Sequence, residues 1–140
     1  MTARYGIDTS ILVRLTTGEP EREFEATAAE LTRMVETEHV SLFASNMVIG
    51  EAYMAVQYHY GVGKAEAKAG LRSVLTSGLM APMGGDVVLD ALAKNRGCGL
   101  LDRLIALQYS GDGLGTLTLD RKMAGLPDVT RLAGRGRDNS

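Results

Sequence analysis

Two rhythms of apolar and polar residues alternate along the chain. Short apolar runs end at Ile7 and Ala44 and recur near Leu79–Pro82, Thr116–Leu119 and Asp128–Leu132. Turn-forming or polar residues bound each of them, and they read as strands. Longer stretches carry helical spacing. Phe24, Ala28, Leu31 and Val35 share one face of a helix predicted over 21–38, with Glu21, Glu23, Glu25, Glu30 and Glu36 mostly off that face. His39 falls at its end, where a cation suits the helix dipole. Further helices are predicted from about Thr9, over 47–60 after a Ser45 or Asn46 cap and until Gly61, and over 64–76. Two more follow, one from an Asp86 cap to about Arg96 and one over 100–110 after Gly97-Cys98-Gly99. One helical turn is expected over 121–124, with an edge strand over 128–132. Strands alternating with helices predict an α/β/α sandwich around a mainly parallel central sheet.

That architecture singles out four acids. In an open parallel sheet, ligands gather outside the C-terminal tips of the strands. Asp8 follows the first apolar run at once, with Thr9 or Ser10 expected to cap the helix behind it. Asp120 follows Thr116–Leu119 in the same way, so one parallel sheet would bring both acids to one rim. Glu51 has Val48, Ala52 and Ala55 at i−3, i+1 and i+4, and Asp102 has Ile105 and Ala106 at i+3 and i+4. Both therefore border the apolar face of a helix. Carboxylates that converge repel one another, and a divalent cation between them resolves the conflict. All-oxygen ligands select Mg²⁺ or Mn²⁺, whose usual work is phosphate chemistry. Each acid also has a plainer reading: Asp8 as a cap, Glu51 paired with an arginine, Asp102 paired with Arg103 or Arg96, Asp120 opening a turn.

Composition narrows the field further. The chain has 140 residues and a formal net charge of −2, so any nucleic-acid contact must be local. One cysteine and two histidines exclude an internal disulfide and a zinc cage. No apolar run approaches the ~20 residues of a membrane helix, and a cytoplasmic protein without membrane contact is expected. One domain over 1–133 and a mobile polar tail over 134–140 complete the expectation.

The segments Gly6–Leu12, Ser45–Glu51, Gly99–Ala106 and Thr116–Asp120 together resemble the PIN-domain ribonucleases, in particular VapC-type toxins of toxin–antitoxin pairs. The resemblance runs from residue 4 to about 132. It implies a Mg²⁺- or Mn²⁺-dependent endoribonuclease, usually a homodimer, held in check by a small VapB-like antitoxin. Carried over by position, it makes Asp8 and Asp102 the metal ligands, with Glu51 and Asp120 completing the catalytic cluster. Thr118 and Ser10 become supporting hydroxyls. Gly50, before Glu51, is a poor helix former without an evident role in the sequence.

Other signals are weaker. Arg14, Arg103, Arg121 and Lys122 fall near the expected crevice and could hold RNA phosphates, or pair with neighbouring acids. Arg131, Arg135 and Arg137 give a basic end. Tyr53, Tyr58 and Tyr60 suit packing better than base stacking. Gly111-x-Gly113-x-Gly115 precedes a strand, so it fails as a phosphate loop and reads as a turn. The rival functions are a catalytically silent module that binds RNA or protein and, more remotely, a small-molecule metallophosphatase.

Overall fold

A computed structural model describes residues 2–132. The tail expected over 134–140, with Arg135 and Arg137, lies outside the described residues. The class is α/β, as the alternation predicts. Six helices accompany five short strands in the order β1 (Arg4–Gly6), α1 (Thr9–Thr17), α2 (Glu21–Thr37), β2 (Ser41–Ala44), α3 (Asn46–Tyr60), α4 (Lys64–Leu75), β3 (Ala81–Pro82), α5 (Asp86–Leu92), α6 (Leu100–Gly111), β4 (Thr116–Thr118) and β5 (Val129–Arg131). A single 3₁₀ turn, Met123–Gly125, joins the last two strands.

Every strand pair is parallel, but the strands form two hydrogen-bonded sheets rather than one. The first runs β1-β2-β3 and the second β4-β5. The core sits on the first, where Leu12, Ile49, Leu71, Val88 and Leu100 are fully enclosed. β1 is therefore an edge strand, and Arg4, Tyr5 and Gly6 are all exposed instead of buried at the centre of the sheet.

Local chemistry moves several element ends. Asp8 itself, not Thr9 or Ser10, caps α1: its Oδ1 accepts the Thr9 N–H at 2.7 Å. Ser45 caps α3 as expected, accepting from the Val48 N–H at 3.2 Å. Asp86 is the first residue of α5, and Gly85 stands at the cap with φ of 85°. His39 lies beyond α2, in the left-handed region at φ 59°, where the chain turns back so that both Glu38 and Val40 donate to the Met34 carbonyl. It is no last-turn cation.

α5 stops at Leu92 rather than near Arg96: the Ala93 and Lys94 N–H groups close on Asp90 and Ala91 three residues back, and side chains from other helices hold the loop that follows. Lys68 on α4, only 8% exposed, donates its ammonium to the Lys94 carbonyl. Arg103 on α6 donates to the Arg96 and Cys98 carbonyls at 2.6 and 3.2 Å. These two cations clamp the loop between α5 and α6.

Burial, followed by the charges of Arg103 and Lys64, pushes the Lys68 amine below its ordinary pKa of 10.5. The unfolded chain thus holds that proton more readily, and raising the pH through the interval just under 10.5 favours the folded state. We expect Lys68→Ala to cost about 1–3 kcal/mol near neutrality through the orphaned carbonyl and the lost stem. The gap should widen in favour of the wild type as the pH approaches 10.5. Urea melts of both proteins at the two pH values check this, and a gap that narrows toward alkaline pH contradicts it.

Candidate functional site

The local fold brings two of the four acids together. Asp8 stands where β1 passes into α1, with Oδ1 on the Thr9 N–H and Oδ2 within 3.4 Å of the Ser10 hydroxyl. Thr9 then turns its own hydroxyl to Glu51 on α3, donating to Oε1 at 2.8 Å. This bond joins residues 42 apart in the chain. Backbone and side chain of one threonine thus serve the two carboxylates, which are both exposed. Thr9 is the residue that sequence reading passed over; a hydroxyl beside a strand-end acid was taken as a cap alone.

Asp102 lies in the first turn of α6 and is half-buried. Of the two arginines expected as its plain partners, Arg103 is engaged otherwise, its guanidinium holding the Arg96 and Cys98 carbonyls. Glu51 likewise has a hydroxyl partner rather than an arginine. Among the described residues the only ion pairs join Arg33 to Glu30 and Glu38, remote from these acids in the sequence.

Asp120 is placed elsewhere. It follows β4, in the second sheet, and its Oδ2 accepts the Met123 N–H at 2.7 Å to cap the 3₁₀ turn. Thr118 supports that turn, its hydroxyl accepting the Asp120 N–H at 3.0 Å. The plain reading of Asp120 as a turn opener is therefore realised. Asp112, another acid that precedes β4 in a glycine-rich turn, lies just past the C-terminus of α6.

The basic candidates divide in the same way. Arg14 donates to the Thr27 hydroxyl at 3.3 Å, tying α1 to α2. Arg103 is structural, as above. Arg121 and Lys122 are exposed. Tyr53 is buried in the core, while Tyr58 is exposed and meets His59 edge to face.

Beside Glu51 an open groove of about 530 Å³ runs between α3 and α6, lined by Asn46, Met47, Met54, Leu101 and Ile105 among others. Gly50 accounts for its depth. A β-carbon there would lie 3.0 Å from Leu101 Cδ2 and 3.6 Å from Leu104 Cδ1. Glycine lets the two helices approach closely at that point.

No protein-family model, curated protein or solved structure matches this chain. Among the described residues, no three His, Cys, Asp or Glu side chains converge as a metal-holding group. The donor chemistry of Asp8 and Glu51 nevertheless fits Mg²⁺ or Mn²⁺, which take oxygen ligands and commonly need only one or two carboxylates, with waters filling the remaining positions. If the threonine bridge orients these donors, Thr9→Val should weaken Mn²⁺ binding about 10-fold or more, as loss of an outer-shell partner does elsewhere. Thr9→Ser should retain it. Titration calorimetry on the three proteins decides; equal affinities would show that the bridge orients nothing.

Proposed function

We propose that this chain is a Mg²⁺- or Mn²⁺-dependent endoribonuclease, the toxin half of a toxin–antitoxin pair acting in the cytoplasm. It cuts RNA phosphodiester bonds with water and is restrained by a small antitoxin protein. One observation carries the reading: Asp8 and Glu51, distant in sequence, share Thr9 at the end of a parallel strand, exposed and, among the described residues, without a cationic partner. Stable folding does not require two carboxylates to meet there. The resemblance of four ordered segments to PIN-domain ribonucleases supports the same chemistry.

In this reading Asp8 and Glu51 hold the ion; Asp102 and Asp120, which the described residues do not bring into one group with them, complete the set by resemblance alone. A bound ion would supply charge neutralisation on the phosphate and a water that gives up its proton more readily than bulk water does. The chain's own groups do the rest. The Thr9 N–H and the Ser10 hydroxyl fix Asp8, and the Thr9 hydroxyl fixes Glu51 through Oε1. Glu51 Oε2 is left to take the proton of the attacking water as the phosphorus–oxygen bond breaks. By resemblance the products carry a 5′-phosphate and a 3′-hydroxyl.

Asp8 and Asp120 each use an oxygen as a cap, and this favours a second reading, a silent module that binds RNA or protein. Incubation with total RNA, with and without EDTA, separates the two. The nuclease cleaves only where divalent metal is free. Asp8→Asn and Asp102→Asn are expected to lose about 10²–10⁴-fold in rate with unchanged far-UV circular dichroism. Mg²⁺-dependent cleavage surviving in both purified variants would remove the assignment.

A further inference from the structure

The two sheets each expose an edge that suits the other. In β1, Ile7 donates to the Phe43 carbonyl and Ser41 to the Ala3 carbonyl, so residues 3 and 7 face β2. By alternation Arg4 and Gly6 turn their backbone N–H and C=O groups to the open side. In β4, Thr116 donates to Asp128 and Leu132 to Thr118, so the Leu117 backbone groups turn away from β5. One face of this second sheet is also bare: Leu117 and Leu119 are 68% and 66% exposed, and Leu132 beside them is 49% exposed. A two-stranded parallel sheet with an uncovered apolar face is not stable by itself; parallel strands occur in larger sheets covered on both sides.

The chain's own geometry directs β4 away from β1. α3 starts at the C-terminal tip of β2 and α6 runs antiparallel to it. Asn46 Nδ2 donates to the Leu104 carbonyl at 2.9 Å, and Gly50, four residues on, meets Leu101. α6 therefore advances toward the strand tips. Its end, Ser110 to Asp112, shares a cavity of about 650 Å³ with Ser45, Met83 and Gly84, which follow the tips of β2 and β3. β4 starts from that rim. A strand parallel to β1 has to start at the opposite end of the sheet.

We infer that β4-β5 completes the sheet of a second copy of this chain, β4 lying parallel to β1 of the other protomer, with the exchange reciprocal. Each protomer then has a five-stranded parallel sheet. The Leu117–Leu119 face gains an apolar seat in the groove of Met47, Met54, Leu101 and Ile105, which adjoins the β1 tip through Glu51 and Thr9. Asp120 of one protomer arrives beside Asp8 of the other, so each carboxylate cluster is built from two chains. This assignment of Asp120 rests on the nuclease reading; the exchange of strands does not.

Three measurements on the full chain test it. Light scattering should give a dimer mass, and a monomer overturns the exchange. In a Cys98→Ser background, mixed and refolded Tyr5→Cys and Leu117→Cys chains should be joined by a short bis-maleimide into a covalent dimer. A dimer that this reagent fails to join, or a doubly substituted chain that cross-links within itself at monomer mass, overturns it too. Finally, Asp8→Asn and Asp120→Asn chains, inactive alone, should regain about a quarter of wild-type cleavage when mixed and refolded, because half the random dimers carry one intact site of two. Active wild type with no such recovery places both acids in one chain and overturns the shared site. A cross-linked dimer without Mg²⁺-dependent cleavage would instead refute the nuclease and leave the exchange standing.

Discussion

The close antiparallel contact of α3 with α6 at Gly50 sets the direction of the chain from residue 100 to residue 132. With no β-carbon at Gly50, Leu101 and Leu104 settle against the α3 backbone. Asn46 then fixes the register through the Leu104 carbonyl. Once α6 points toward the strand tips, β4 and β5 must begin at the rim and form a sheet of their own. The open edge of β1, the bare leucines of β4 and the placing of Asp8 and Asp120 after strands of different sheets go with one helix direction.

Much of the chain was legible because its signals are local. The helical face of Phe24, Ala28, Leu31 and Val35, the Ser45 cap and the stop at Gly61 depend on neighbours within a turn or two, and the structure has them. Asp8 at the strand–helix junction was legible for the same reason. The division of the parallel strands into two sheets was not. Alternation of strands and helices predicts parallel pairing but is silent on which edges meet, and helix direction depends on a glycine contact between residues about fifty apart. The path of the chain after α5 was hidden likewise, since the loop carbonyls of Lys94, Arg96 and Cys98 are held by Lys68 and Arg103 from other helices.

At the candidate site, sequence reading found the acids and missed what joins them. Asp8 and Glu51 were chosen for their places on elements, and Thr9 turns that placement into a hydrogen-bonded pair. Asp120 was chosen by the same rule, yet local satisfaction won: the Met123 N–H lies three residues on and binds its carboxylate. The rule that acids after parallel strands share a rim presumes that the strands share a sheet.

The disposition of the cations bears on why the remaining acids stay unpaired. The chain has 15 lysines and arginines against 17 acids, so pairing is limited by geometry rather than by number. Arg14 is drawn to Thr27, and Lys68 and Arg103 to the carbonyls of the α5–α6 loop. The basic groups on the helices flanking Asp8 and Asp102 thus serve the backbone and hydroxyls. Glu51 is oriented by a neutral hydroxyl that leaves its charge uncompensated. An arginine there would have added little stability at an exposed position, and it would have competed with any divalent ion for the same oxygens. With the helix cations so engaged, no lysine or arginine occupies the exposed oxygens of Asp8 and Glu51 among the described residues.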